Sequence, residues 1–108
     1  MDFNEYQTLA LRTWTPPPRD KKIDISYLAL GLTNEAGEVA GKIKKYLRGD
    51  IEELDREGLA AELGDVLWYL TTLSAELGID ANIVAQMNID KLASRKQRGV
   101  IKGDGDNR

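Results

Sequence analysis

Cysteine and histidine are both absent from this chain of 108 residues. Without cysteine there is no disulfide, no thiolate nucleophile and no sulfur-ligated zinc or iron site. Without histidine there is no Ser-His or Cys-His couple, no histidine-rich zinc site and no Glu-x-x-His di-iron helix. Proline is confined to Pro16, Pro17 and Pro18. No apolar run approaches the roughly 20 residues that a membrane-crossing helix needs, and the opening Met1-Asp2-Phe3-Asn4-Glu5 lacks the basic-then-apolar order of a secretory signal. The expectation is a cytoplasmic protein with no membrane partner. What is left for chemistry is carboxylate with a hard metal, lysine, tyrosine, or no chemistry at all.

Apolar residues make up 42% and charged residues 31% of the chain, the balance of one ordinary globular domain. The net charge of -3 is mild but unevenly spread. Residues 1–89 carry 9 Lys+Arg against 15 Asp+Glu, and residues 90–108 carry 6 against 3. A domain built to hold a nucleic-acid polymer normally shows a stronger basic excess, so no such partner is expected. A site for metal plus a small polyanion wants both signs near each other.

Four helical segments can be read along the chain. The first opens on Asp2 with Glu5 three residues later, a capping-box pattern, and places Phe3, Tyr6, Ala10 and Trp14 at helical spacing. The prolines stop it, because their rings remove backbone donors and push each preceding residue out of the α region. The second runs from about Ser26 to Leu47 through Leu28, Leu32, Val39, Ile43 and Tyr46, with Gly49-Asp50 as its stop. The third is expected from near Ile51 to Gly78 through Leu59, Leu63, Val66, Leu70, Leu73 and Leu77, with a weak point at Gly58. The fourth starts at the potential cap Asp80 and passes through Ile83, Val84, Met87 and Leu92 to Gly99. No stretch alternates with period two and no solenoid repeat is present. The predicted fold class is therefore all-α, a four-helix bundle-like subunit over residues 1–98, with 99–108 as a flexible polar tail. So small a helical unit buries a modest share of its surface, and a second copy is a natural way to complete the core.

Acidic residues three apart are common here, and only direction separates them. At about 100° per residue, Leu28 and Tyr46 lie within about 20° of Glu35 and Val39 within about 40°, with Glu38 about 60° to the other side. The third helix repeats the arrangement: Leu73 and Tyr69 lie within about 20° of Glu62, Val66 within about 40°, and Asp65 about 60° away. Two helices thus direct two carboxylates each toward apolar faces. Ionised carboxylates taken out of water cost several kcal/mol unless compensated, and four together repel one another. A single such acid is commonly paired with a lysine at the bundle edge. Two matched pairs favour a divalent cation, and oxygen-only ligands select Mg²⁺, Mn²⁺ or Ca²⁺.

On the fourth helix an apolar line becomes a cationic one, with Val84, Asn88, Lys91 and Arg95 within about 60° of one another. Lysine offers a point charge and arginine a planar fork, both suited to phosphate oxygens. Basic residues also match the negative end of a helix, which is the simpler account of most of Lys42, Lys44 and Lys45. Tyr69 is placed either in the core or against a base, and Trp68 in packing or at an interface.

Leu30-Gly31-Leu32-Thr33-Asn34-Glu35-Ala36-Gly37-Glu38-Val39, followed after Glu38 by 23 residues and then by Glu62-Leu63-Gly64-Asp65-Val66-Leu67-Trp68-Tyr69, resembles the MazG-type all-α nucleoside triphosphate pyrophosphohydrolases. The resemblance covers roughly residues 25–98. It implies Glu35, Glu38, Glu62 and Asp65 as Mg²⁺ ligands, with Mn²⁺ a possible substitute and Glu35 as the base. It implies Asn88, Lys91 and Arg95 as triphosphate contacts, and Lys45 and Tyr69 are added to these as candidate substrate contacts from their positions on the second and third helices. The implied reaction converts a nucleoside triphosphate to its monophosphate and pyrophosphate in a homodimer or dimer of dimers. Position 34 is Asn where some members carry an additional acid, which leaves the number of metal ions open. The alternatives are a phosphoribosyl-ATP pyrophosphatase-like enzyme and a non-catalytic helical dimerisation module.

Overall fold

An aspartate stands at the N-cap of every helix in the computed structural model, which describes residues 1–108. The helices are α1 (Phe3–Leu11), α2 (Lys21–Arg48), α3 (Arg56–Glu76) and α4 (Ala81–Gln97), and no strand is present. The all-α, four-helix expectation holds, and the boundaries move for local reasons. Asp2 accepts from the Glu5 amide at 2.8 Å, satisfying one of the donors that a helix start leaves orphaned. α2 starts earlier than its apolar periodicity, at Lys21, because Asp20 accepts from the Lys22 amide at 2.9 Å. α3 starts later than expected, because Asp55 caps it by accepting from the Gly58 amide at 2.9 Å. The segment thus parts just before Gly58, into a short exposed stretch over residues 51–55 and the long helix, and a Cβ at Gly58 would run into the Asp55 carboxylate.

Asp80 occupies the N-cap of α4 but makes no side-chain capping bond. That work falls to α1. Gln7, buried, receives the Ala81 amide on Oε1 at 3.1 Å and donates through Nε2 to the carbonyls of Thr71 and Ile79. Asn4 and Asn82 each accept the other's backbone amide, at 2.8 and 3.1 Å. A glutamine and an asparagine from the first helix thus satisfy the start of the last one.

α2 and α3 form an antiparallel pair. Lys21 lies 3.8 Å from Glu76 at one end and Lys42 3.7 Å from Asp55 at the other. Midway, the ring of Tyr69 fills the space where a Cβ of residue 31 would stand, so Gly31 permits the two helices to close on each other at this point. α4 packs against α1 and α3, but no Cα of α4 comes within 8 Å of α2.

Only 9 of the 108 residues are buried, and the apolar ones among them are Ala10, Leu28 and Ala81. Large side chains stand in solvent on several helices, including Leu30 at 72%, Leu47 at 77% and Met87 at 65% exposure. The radius of gyration is 16.8 Å, against about 13 Å for a closed domain of this length. A single chain therefore leaves its apolar faces open. No helix is long and apolar enough to cross a membrane.

Candidate active site

The seam between α2 and α3 gathers the acids that the sequence pattern singled out. One carboxylate oxygen from each of Glu35, Glu62 and Asp65 lies within 4.8 Å of the others. Glu35 and Glu62 are half-buried, whereas Glu38 and Asp65 are exposed, so the cluster opens to solvent along one side. Glu38 is not within the tight trio, yet it lies near enough to act on Glu35. The Glu35 carboxyl is pushed above the ordinary range of a glutamic acid, first by desolvation and then by the negative charge of Asp65 and Glu62. A hydrogen bond with Glu62, which only a protonated acid can donate, and the charge of Glu38 act in the same direction. No lysine or arginine forms an ion pair with any of the four. The simple pairing expected of a lone helix-face acid is therefore missing, and the donor set is all oxygen. Such a set fits a hard divalent cation.

Tyrosines flank the cluster on two sides. Tyr69 is raised by burial and then by its contact with Tyr27, with Glu35 and Asp65 adding to the shift. Tyr6 is raised by burial and by Asp65. From Tyr69 an aromatic chain leads away from the acids. The Tyr69 ring meets Trp68 edge-on at 4.9 Å, Trp68 meets Trp14 at 6.1 Å, and Trp14 stacks on Tyr27 at 5.9 Å. The Arg19 guanidinium covers the Tyr27 ring at 5.9 Å. Trp14, Tyr27 and Trp68, with Pro16 and Pro17, line a hollow of about 330 Å³. Sequence reasoning placed Trp14 on the amphipathic face of the first helix. In the fold it lies beyond the end of α1, where its indole donates to Glu76 at 2.8 Å. The proximity of Trp14 to Tyr27 and Trp68 depends on how the proline turn returns the chain, and no spacing in the sequence reports that.

The candidate substrate contacts are dispersed within one chain. Asn88 is exposed on a shallow apolar hollow of about 560 Å³ formed with Phe3, Leu67, Leu70, Val84 and Ile89, among others. Lys91 and Arg95 are engaged by residue 106 of the same chain, at 3.2 and 3.4 Å. Lys45 sits in the last turn of α2, and both it and Lys44 are exposed and without an ion pair, whereas Lys42 pairs with Asp55. The structure thus brings Glu35, Glu62, Asp65 and Tyr69 together and leaves the α4 residues on a helix whose Cα atoms all stay more than 8 Å from those of α2.

An all-α chain whose two longest helices present an oxygen-only carboxylate cluster along their seam offers the kind of donor set that metal-assisted hydrolysis uses. Residues 24–100 match the MazG nucleotide pyrophosphohydrolase domain, and the chain belongs to that family. The gene 37 protein of Mycobacterium phage L5 is similar, 52% identical over 87 residues that span 78% of this chain and 76% of the phage protein. No solved structure matches the chain. Members of the family hydrolyse nucleotides and generally use a divalent metal, a requirement with which the oxygen-only cluster agrees.

Proposed function

We propose that this protein is a Mg²⁺-dependent nucleoside triphosphate pyrophosphohydrolase that converts a nucleoside or deoxynucleoside triphosphate to its monophosphate and pyrophosphate, acting on cytoplasmic nucleotides. The observation that carries the reading is the convergence of Glu35, Glu62 and Asp65 within 4.8 Å, without a cationic side chain to neutralise them. Glu35, Glu38, Glu62 and Asp65 would hold Mg²⁺, or Mn²⁺ in its place. When bound, the metal supplies positive charge to the phosphoryl oxygens.

The chain's own groups account for the rest. Glu35 takes the proton of the attacking water, the general-base role that a half-buried carboxylate at the edge of the cluster can fill. The water oxygen forms a bond to the α phosphorus as the bond from that phosphorus to the bridging oxygen breaks, and pyrophosphate leaves with the electron pair. Lys91 and Arg95, with Asn88 and Lys45, hold the β and γ phosphates and offset the charge that builds on the leaving group. Tyr69 and the aromatic hollow beside it offer faces on which a base can stack. In this reading the cations of α4, none of whose Cα atoms comes within 8 Å of α2 in one chain, reach the seam from a second copy, in a homodimer or a dimer of dimers. The open apolar faces and the large radius of gyration support that assembly.

Removal of the metal has a clear expected consequence. In metal-free protein the repelling acids oppose folding. Glu35 binds protons more tightly folded than unfolded, so stability falls as pH rises from its ordinary unfolded range through its raised folded one. Glu62→Gln lessens that fall and raises the metal-free melting temperature, because one charge of the cluster is gone. Mg²⁺ or Mn²⁺ raises the melting temperature of the wild type, and Glu62→Gln removes most of that gain. An unchanged metal response in this variant, measured by differential scanning calorimetry, would show that the acids do not hold the ion.

The bond that is cleaved is tested by hydrolysis in ¹⁸O water followed by phosphorus NMR. Label is expected in the monophosphate and none in the pyrophosphate. Orthophosphate with a nucleoside diphosphate would overturn the assignment of the attacked phosphorus. No reaction with any nucleotide would return the chain to the reading as an interaction module.

A further inference from the structure

Lys91 and Arg95 lie one helical turn apart on α4, and the segment after α4 folds back over them. The chain reverses at Gly99, whose φ of 72° is in the left-handed region open to glycine. Arg108 then clasps the segment, donating to the carbonyls of Val100 at 3.0 Å, Ile101 at 2.9 Å and Gly105 at 2.6 Å. Its own carbonyl accepts from Arg98 at 2.7 Å. The result sets Asp106 Oδ1 3.2 Å from Lys91 Nζ and 3.4 Å from Arg95 Nη2.

The fit of this carboxylate is poor. Charge-assisted N–H···O⁻ bonds normally run at about 2.7–2.9 Å, and here one oxygen is shared at longer range between two cations. Arg95 is 4% exposed. Its Nη2 alone serves three acceptors, the carbonyls of Gly105 and Asp106 as well as Oδ1. Its Nε is buried with no partner at all. The guanidinium fork, which can grip two oxygens of one anion, is used at one tine. A buried donor left unpaired is destabilising and awaits an acceptor that this segment does not provide. Asp106, by contrast, is 84% exposed at its side chain and gives up little on leaving.

We infer that Lys91 and Arg95 form an oxyanion seat that the chain closes with its own Asp106, so that residues 99–108 compete with a phosphate-bearing ligand for the same two cations. The inference rests on the proposed role of these cations in holding phosphates. It adds that part of the substrate's binding free energy is spent in displacing an internal carboxylate. The lowered proton affinity of the Asp106 carboxyl, caused by its hydrogen bond to Lys91 and the charge of Lys91 and then by Arg95, agrees with an anion held between two cations. A phosphate has oxygens enough to engage Lys91 and both tines of Arg95. Gly103 and Gly105, each at positive φ, set the path by which the segment reaches the two cations.

Asp106→Asn keeps the shape of the side chain and removes its charge. The KM for a nucleoside triphosphate is expected to fall about two- to fivefold, the range for one exposed ion pair, with kcat unchanged. The Kd for inorganic tripolyphosphate, measured by calorimetry, falls by the same factor. In ¹H–¹⁵N spectra of the wild type, saturating tripolyphosphate moves the Gly103 and Gly105 amides to the positions of an unfolded segment. A rise in KM or a loss of tripolyphosphate binding in Asp106→Asn would make the segment a scaffold for Arg95 and overturn the inference. Unmoved glycine amides in saturated protein would overturn it equally. Failure of the enzymatic reading looks different: tripolyphosphate still displaces the segment while no nucleotide is hydrolysed.

Discussion

Replacing Glu35 with Gln lowers kcat by about 10²- to 10⁴-fold, the usual worth of a positioned general base, while nucleotide binding stays measurable. Glutamine keeps the length and the carbonyl oxygen of the side chain but cannot accept the proton of an attacking water. The choice of Glu35 over its neighbours rests on its surroundings. In the metal-free protein its proton affinity is raised, by desolvation and by Asp65, Glu62 and Glu38 together. Pre-steady-state turnover of a nucleoside triphosphate, beside calorimetric binding of a non-hydrolysable analogue, separates the two effects. Wild-type turnover in the variant would remove Glu35 from the chemistry. Loss of binding together with turnover would recast it as a metal or substrate ligand only.

The second large effect lies at the open apolar face. Ile89 is 60% exposed in the single chain and borders the hollow formed with Phe3, Leu67, Leu70 and Val84. If a second copy covers this face, Ile89→Asp buries an uncompensated charge, at a cost of about 3 kcal/mol or more, or roughly two orders of magnitude in the dimer dissociation constant. Sedimentation at micromolar concentration should then show monomers, and activity should fall in step with the dimer fraction. A wild type that sediments as a monomer and is fully active would dispose of the shared site. Mixing two inactive variants tests the sharing itself. In mixed Glu35→Gln and Lys91→Ala dimers one of the two sites is intact only if α4 acts across the interface, so recovered activity supports the exchange and none argues against it.

The helices and the acids were legible before any coordinates because both signals are local. Helix periodicity at Leu28, Leu32, Val39 and Ile43 depends on neighbours within a turn or two, as do the N-cap positions of Asp2 and Asp80. Glu35 and Glu62 stood out because a charged residue inside an apolar stripe violates the pattern that surrounds it, and the two helices carry the same violation. Gly58 is the weak point of its segment, and the chain parts just before it, where the Asp55 carboxylate occupies the space its missing Cβ leaves. Where the reading slipped, a longer-range partner intervened. Asp80 holds the N-cap position it was read to have, but the capping bonds come from Gln7 and Asn4, more than seventy residues away.

By itself, then, the sequence determined the fold class and the four helices and singled out the candidate acids, since each follows from residue type at short spacing; the family came from the likeness of two longer segments to known members. Tertiary structure alone decided that Glu35, Glu62 and Asp65 meet at one point while Glu38 stands aside, because their separation depends on the register in which α2 pairs with α3. It also decided that Trp14, Tyr27, Trp68 and Tyr69 form one continuous aromatic path, and that Lys91 and Arg95 are met by Asp106. These are contacts between segments whose separation along the chain carries no periodic signature. Their formation is governed by packing at Gly31, by the turn through Pro16–Pro18 and by the reversal at Gly99.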